Sequence, residues 1–197
     1  IRKKITMTDD VLTVKTEATP NPNSLKYKLG RLLIPGGSAQ FPTPESAAER
    51  SPLASRLFEV DGVTAVFIGA DFFTITRAEG TSWQDINEGV APALEAFFEA
   101  GEQVLTGAQK PELPTIDDGD ADPQMVETIK NILDDHVRPA VAMDGGDIIY
   151  RGFKEGVVYL ELYGACSGCP SSTLTLKQGV ETMIRRHCPD VISVEAI

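Results

Sequence analysis

The stretch 107–122 (GAQKPELPTIDDGDAD) limits what this chain can fold into more than any other. It is rich in Pro, Gly and acid and has no apolar period, so it offers no face to a core and reads as a solvated linker. The remaining 1–106 and 123–197 are then expected to form two small domains, each long enough to bury a core of its own. No internal repeat relates the two halves.

In the first half, 11–17 and 24–29 read as strands, with Leu25, Tyr27 and Leu29 alternating with polar residues. The link Thr19-Pro-Asn-Pro-Asn23 is loop chemistry, because each Pro fixes its own φ and pushes its predecessor out of the helical region. Ser51-Pro52 opens a short helix with Leu53, Leu57 and Phe58 on one face. Segments 63–68 and 72–77 make a hairpin, and Ser82 caps a helix carrying Trp83, Ile86, Val90, Leu94 and Phe97 at helical spacing.

The second half opens with Asp122 as N-cap and Pro123 at the first helical position. Val126, Ile129, Leu133 and Val137 line that helix, and Pro139 marks its expected end. A tight turn at Asp144-Gly-Gly-Asp147 leads into strands 148–153 and 157–163. A helix marked by Leu176, Val180, Met183 and Ile184 follows, and then a short strand 191–197. The fold class is α+β: two small α/β-mixed domains joined by an acidic linker, the second in the order α-β-β-α-β.

With 29 acidic against 18 basic residues, the formal charge of −11 argues against a nucleic-acid binder, since phosphate neutralisation needs clustered Lys and Arg. No apolar run is long enough to span a bilayer, so no membrane partner is expected. The chain begins at Ile1, and 1–6 reads as a processing remnant, an expression scar or an upstream extension. Three cysteines do not make a disulfide framework, and 1–10 has no signal-peptide core. A reducing compartment is therefore expected, a bacterial cytoplasm with the mitochondrial matrix as alternative.

The chemistry concentrates in Tyr163-Gly-Ala-Cys-Ser-Gly-Cys-Pro-Ser-Ser172, where a strand hands over to a helix. Cys166 and Cys169, spaced C-x-x-C, suit zinc, an iron–sulfur cluster or reversible disulfide exchange. Pro170 at the first helical position puts Cys169 near the N-cap, where unpaired N–H groups and the helix dipole favour thiolate. Gly164 and Gly168 let the backbone pass close to an inorganic ligand. Ser171, Ser172 and Thr173 can cap the helix or donate hydrogen bonds toward sulfur. The plainer reading is two small residues buried in a tight corner.

Two thiols are half of what most such metals require. A thioredoxin-like pair is a rival reading, although little chain follows the last helix and no later strand pair brings a Pro to face the thiols. A zinc site would need His187 and Cys188, adjacent residues that can rarely aim at one metal. His187 instead reads as a packed or capping residue, and Cys188-Pro189 as a helix end. Two copies facing across a two-fold axis would supply four thiolates, the set that a [4Fe-4S] cluster takes. Neither thiol is expected to anchor a core, so Ser variants should stay folded.

Val137-Arg-Pro-Ala140, Met143-Asp-Gly-Gly-Asp-Ile148 and Gly164-Ala-Cys-Ser-Gly-Cys-Pro-Ser-Ser172 closely resemble the NifU C-terminal (Nfu) domain. Thr16-Glu-Ala-Thr-Pro-Asn-Pro-Asn-Ser-Leu-Lys26, Ser51-Pro-Leu-Ala54 and Gly69-Ala-Asp-Phe72 resemble the Nfu N-terminal domain. The resemblance covers nearly everything but the extreme N-terminus and the linker. It implies a non-enzymatic iron–sulfur scaffold or carrier, a homodimer when loaded, holding a labile [4Fe-4S] cluster between two subunits. Cys166 and Cys169 would be each chain's ligands, an upstream donor would supply the cluster, and apo iron–sulfur client proteins would receive it. Cys188 falls where the family has an apolar residue and is not assigned.

The first domain has neither Cys nor His. Asn21, Asn23 and Ser24 are either a recognition loop or capped turn residues. The resemblance implies that this domain modulates cluster binding or contacts clients, with the linker letting the two domains reorient. The alternative function is a thiol–disulfide oxidoreductase acting through the C-x-x-C pair, and a third is a zinc-stabilised interaction module.

Overall fold

Short alternating segments in the first half build a six-stranded sheet in which every neighbouring pair is antiparallel. Its strands are β1 (Arg2–Thr6), β2 (Val11–Ala18), β3 (Ser24–Lys28), β4 (Ala39–Phe41), β5 (Val63–Ile68) and β6 (Phe72–Arg77), in spatial order β1-β2-β3-β6-β5-β4. The computed structural model describes residues 2–6, 11–107, 116, 118, 119, 121–167 and 170–197. Chain contacts separate two units, Ile1–Lys110 and Pro111–Ile197. Residues 2–6 run antiparallel along β2, with Lys3 opposite Val14.

Three helices complete the first unit: α1 (Pro44–Arg50), α2 (Pro52–Phe58) and α3 (Trp83–Glu99). The apolar positions read from the sequence form its core. Leu53, Leu57, Ile86, Val90, Leu94 and Phe97 are buried together with Tyr27, Phe73 and Ile75. Tyr27 stacks on Phe73 with ring centroids 4.8 Å apart, and its hydroxyl donates to Asn87 Oδ1 at 2.8 Å, tying β3 to α3. A buried phenol needs such a partner.

Ser51 is fully buried where α1 passes into α2. Its Oγ accepts from the Ala54 amide at 3.1 Å and donates to the Val104 carbonyl at 2.6 Å. Ser51→Ala removes a cap and leaves the half-buried Val104 carbonyl without its donor. We expect a loss of about 1–2 kcal/mol of first-unit stability in urea titrations.

In the second unit the elements are α4 (Pro123–Ile132), a π-turn (Leu133–Val137), α5 (Arg138–Met143), β7 (Gly146–Lys154), β8 (Val157–Gly164), α6 (Pro170–His187) and β9 (Ser193–Ala196). Asp122 caps α4 through the Gln124 amide. Strands β7 and β8 pair antiparallel across the turn at Glu155 (φ 53°) and Gly156 (φ 81°), two positive-φ residues as the tight mirror-image hairpin turn requires. β9 lies parallel to β8 because α6 carries the chain back across the sheet. The order α-β-β-α-β is the observed one, with its core on Ile129, Leu133, Val137, Ile148, Val158, Leu160, Val180 and Ile184.

Pro139 does not end the first helix of this unit. The chain goes through the π-turn, where the Arg138 amide reaches back to the Leu133 carbonyl, and continues as α5 to Met143. A proline is tolerated there because the change of hydrogen-bond register falls next to its missing N–H. Strand β7 also begins at Gly146, inside the expected turn.

Part of the expected linker packs on this unit. The Ile116 amide donates to the Arg151 carbonyl at 2.7 Å. Asp118 Oδ1 accepts from the Tyr150 hydroxyl at 2.6 Å and from the Phe153 amide at 3.0 Å.

Candidate metal centre

Cys166 sits just past the end of β8, where the backbone turns toward α6. The residue is only 8% exposed and belongs to the second unit's apolar cluster. This corrects the expectation that neither thiol anchors a core. β8 delivers the residue directly into the space under α6, so the sulfur packs where an apolar group would. Cys169 and Gly168 lie outside the described residues, as do the side chains of Ser171 and Ser172, and helix α6 begins at Pro170.

Burial pushes the Cys166 thiol up to about 12, and the nearby carboxylates of Asp144 and Asp147 add to the effect. Loading a metal on this sulfur therefore has to displace a proton. The Thr173 hydroxyl, expected to cap the helix or address sulfur, donates instead to the Cys166 carbonyl at 3.1 Å. It fixes the cysteine backbone from the first turn of α6.

The turn that ends α5 closes over the other side of the cysteine. The Ala165 amide donates to the Gly145 carbonyl at 3.1 Å, and Gly146 pairs with Gly164. A Cβ on Gly146 would stand 2.4 Å from the Tyr163 carbonyl oxygen and 2.8 Å from Cys166 Sγ, so only glycine fits. Next in the chain, Asp147 is 8% exposed at its side chain. Its Oδ1 accepts from the Ile148 amide at 2.8 Å and from Arg138 Nε at 2.9 Å, and its Oδ2 accepts from Arg138 Nη2 at 3.0 Å. Arg138 Nη1 reaches Asp134 at 3.1 Å. Neither Arg138 nor Asp147 has a role legible in the sequence, since nothing in their spacing foretells a bidentate pair.

The other candidates are accounted for. His187 is exposed, with Nδ1 3.1 Å from the Met183 carbonyl, a helix-end contact. Cys188 is 4% exposed within the apolar cluster, and burial raises its thiol pKa, with Asp190 adding to it. The two neighbours therefore do not present themselves to one metal. Among the described residues no group of three or more His, Cys, Asp or Glu is placed to hold a metal ion. Asn21 Oδ1 accepts from the Asn23 amide within the turn, and Ser24, the first residue of β3, bonds Thr76 Oγ1 through its hydroxyl, so these two side-chain oxygens serve the fold.

Comparison with known proteins matches both units. A family model described as "NifU-like domain" fits 129–195, and one described as "Scaffold protein Nfu/NifU N terminal" fits 14–101. The human protein named "NFU1 iron-sulfur cluster scaffold homolog, mitochondrial" is 41% identical over 186 residues, 93% of this chain and 71% of the relative. This chain belongs to the Nfu family. The like-named protein of Drosophila sechellia is 44% identical over 93% of this chain and 64% of its own length. "NifU-like protein 4, mitochondrial" of Arabidopsis thaliana is 40% identical over 92% and 65%. The chain thus spans about two thirds of the length of these Nfu relatives. Among the described residues no helix is long and apolar enough to cross a membrane.

Proposed function

We propose that this Nfu protein is a non-enzymatic scaffold or carrier for an iron–sulfur cluster. Two copies would hold one labile [4Fe-4S] cluster through Cys166 and Cys169 of each chain. The reading is carried by the match to relatives named as iron–sulfur cluster scaffolds, joined to the C-x-x-C pair, which gives one chain two of the four thiolates that a [4Fe-4S] cluster takes. The cluster is cargo, received from an upstream donor and passed on as client thiolates replace the two cysteines on iron one at a time. The first unit would modulate holding or contact clients. A reducing compartment suits this chemistry, and the relatives' mitochondrial names favour the matrix over the bacterial cytoplasm. The redox alternative is less favoured, because the relatives that match this chain along most of its length are named as iron–sulfur cluster scaffolds.

Anaerobic reconstitution with iron and sulfide tests the proposal when mass in solution is read alongside. About two irons and two sulfides per chain, in a brown dimer, is the expected result for one shared [4Fe-4S] cluster. A colourless monomer cycling between dithiol and disulfide would overturn it.

A further inference from the structure

The turn 144–147 presses its backbone against Cys166, and something must hold it there. Backbone contacts hold part of it: the Ala165 amide bonds the Gly145 carbonyl, Gly146 and Asp147 pair with Gly164 and Tyr163, and the Asp144 and Gly145 amides reach back to Ala140 and Ala142 of α5. A second tether comes from outside it. The π-turn shifts the helix register immediately before Arg138, and from there the guanidinium grips both oxygens of Asp147. Asp147 in turn fixes the start of β7 through the Ile148 amide. A planar fork on a carboxylate has little angular freedom, so this pair sets orientation as well as proximity.

We infer that Arg138, acting through Asp147, is a positioning residue for Cys166: it latches the turn 144–147 over the sulfur and so governs how readily a bound cluster can be reached. Arg138 touches no thiol itself. Its influence passes through Asp147 to Gly146, whose backbone abuts Cys166 Sγ. Asp134 is an exposed third partner and adds little. The inference rests on the reading of Cys166 as a cluster ligand, but the latch can be examined in the metal-free protein.

Amide hydrogen exchange of the full chain, read residue by residue, provides that examination. The Ala165 amide bridges the turn and the cysteine, whereas the Cys188 amide, bonded to Ile184 at 2.8 Å, reports the fold of the same unit. In Arg138→Gln, Ala165 should exchange at least about tenfold faster with Cys188 unchanged, and the reconstituted cluster should pass to a chelator several-fold sooner. Arg138→Lys, which keeps the charge but loses the fork, should fall between, and it can be read if the Gln variant does not fold. Asp134→Ala should match the parent. Equal acceleration at Ala165 and Cys188 would make Arg138 a general stabiliser, and no change at Ala165 would remove the latch. Faster Ala165 exchange with unaltered cluster release would overturn its link to function. Failure of the parent chain to take up a cluster would sink the proposed function while leaving the exchange result to judge the latch alone.

Discussion

Cys169→Ser is expected to keep less than about a tenth of the parent's iron after reconstitution, with both units still folded. Losing an outer-shell partner of a metal ligand typically costs about 10–100-fold in affinity, and losing the ligand itself costs more. In a shared site the effect doubles, because each substitution removes one donor from both copies and leaves two thiolates where four are needed. Cys166→Ser should abolish loading as fully but should not be a clean variant. The residue is 8% exposed inside an apolar cluster with Ile148, Val180 and Ile184. Setting a hydroxyl there without a partner costs about 1–3 kcal/mol. Iron content and urea midpoint, measured together, separate the loss of a ligand from the loss of packing: both variants lose iron, and Cys166→Ser loses stability as well. A double variant that still holds a stoichiometric cluster would place the ligands elsewhere in the chain.

The elements legible in the sequence are those where two local signals coincide. Helix α3 has a cap at Ser82 and an apolar stripe from Trp83 to Phe97, and Ser82 does accept from the Gln84 amide. The hairpin β5–β6 has alternation and a turn, and it forms with one irregularity near Val63. Where only one signal is present, the reading fails. β4 has three residues, too few to show a period, and α1 (PESAAER) has no apolar stripe. Its start was nonetheless written in Thr43-Pro44, the same pattern that revealed α2. The π-turn is invisible because it changes hydrogen-bond register without changing residue type, and Pro139 then looked like a stop. At the site, the cysteine spacing named the chemistry, but the depth of Cys166 depends on how β7 and β8 are paired. The Arg138–Asp147 fork depends on the π-turn. Both are tertiary facts that no local pattern contains.

Gly146→Ala should destabilise the second unit by about 2–3 kcal/mol, the upper part of the range for overpacking a close-packed site. The added methyl would stand 2.4 Å from the Tyr163 carbonyl and 2.8 Å from Cys166 Sγ. The first neighbour is backbone inside the β7–β8 ladder and cannot rotate away. The second is a buried sulfur with the apolar cluster behind it. Relief therefore has to come from lifting the first residue of β7, which breaks its pairing with Gly164 and strains the Ala165–Gly145 hydrogen bond. For a unit of this size, such a loss lowers Tm by roughly 10–20 °C. Gly179→Ala is the matched control in the same unit. It lies in an exposed stretch of α6 with nothing within 4 Å of the added Cβ, so the lower backbone entropy of alanine should raise stability by about 0.5–1 kcal/mol. One chemical change at two glycines should thus have opposite signs. A Gly146→Ala protein that melts with the parent would mean that the turn can yield, and that nothing holds it firmly against the cysteine.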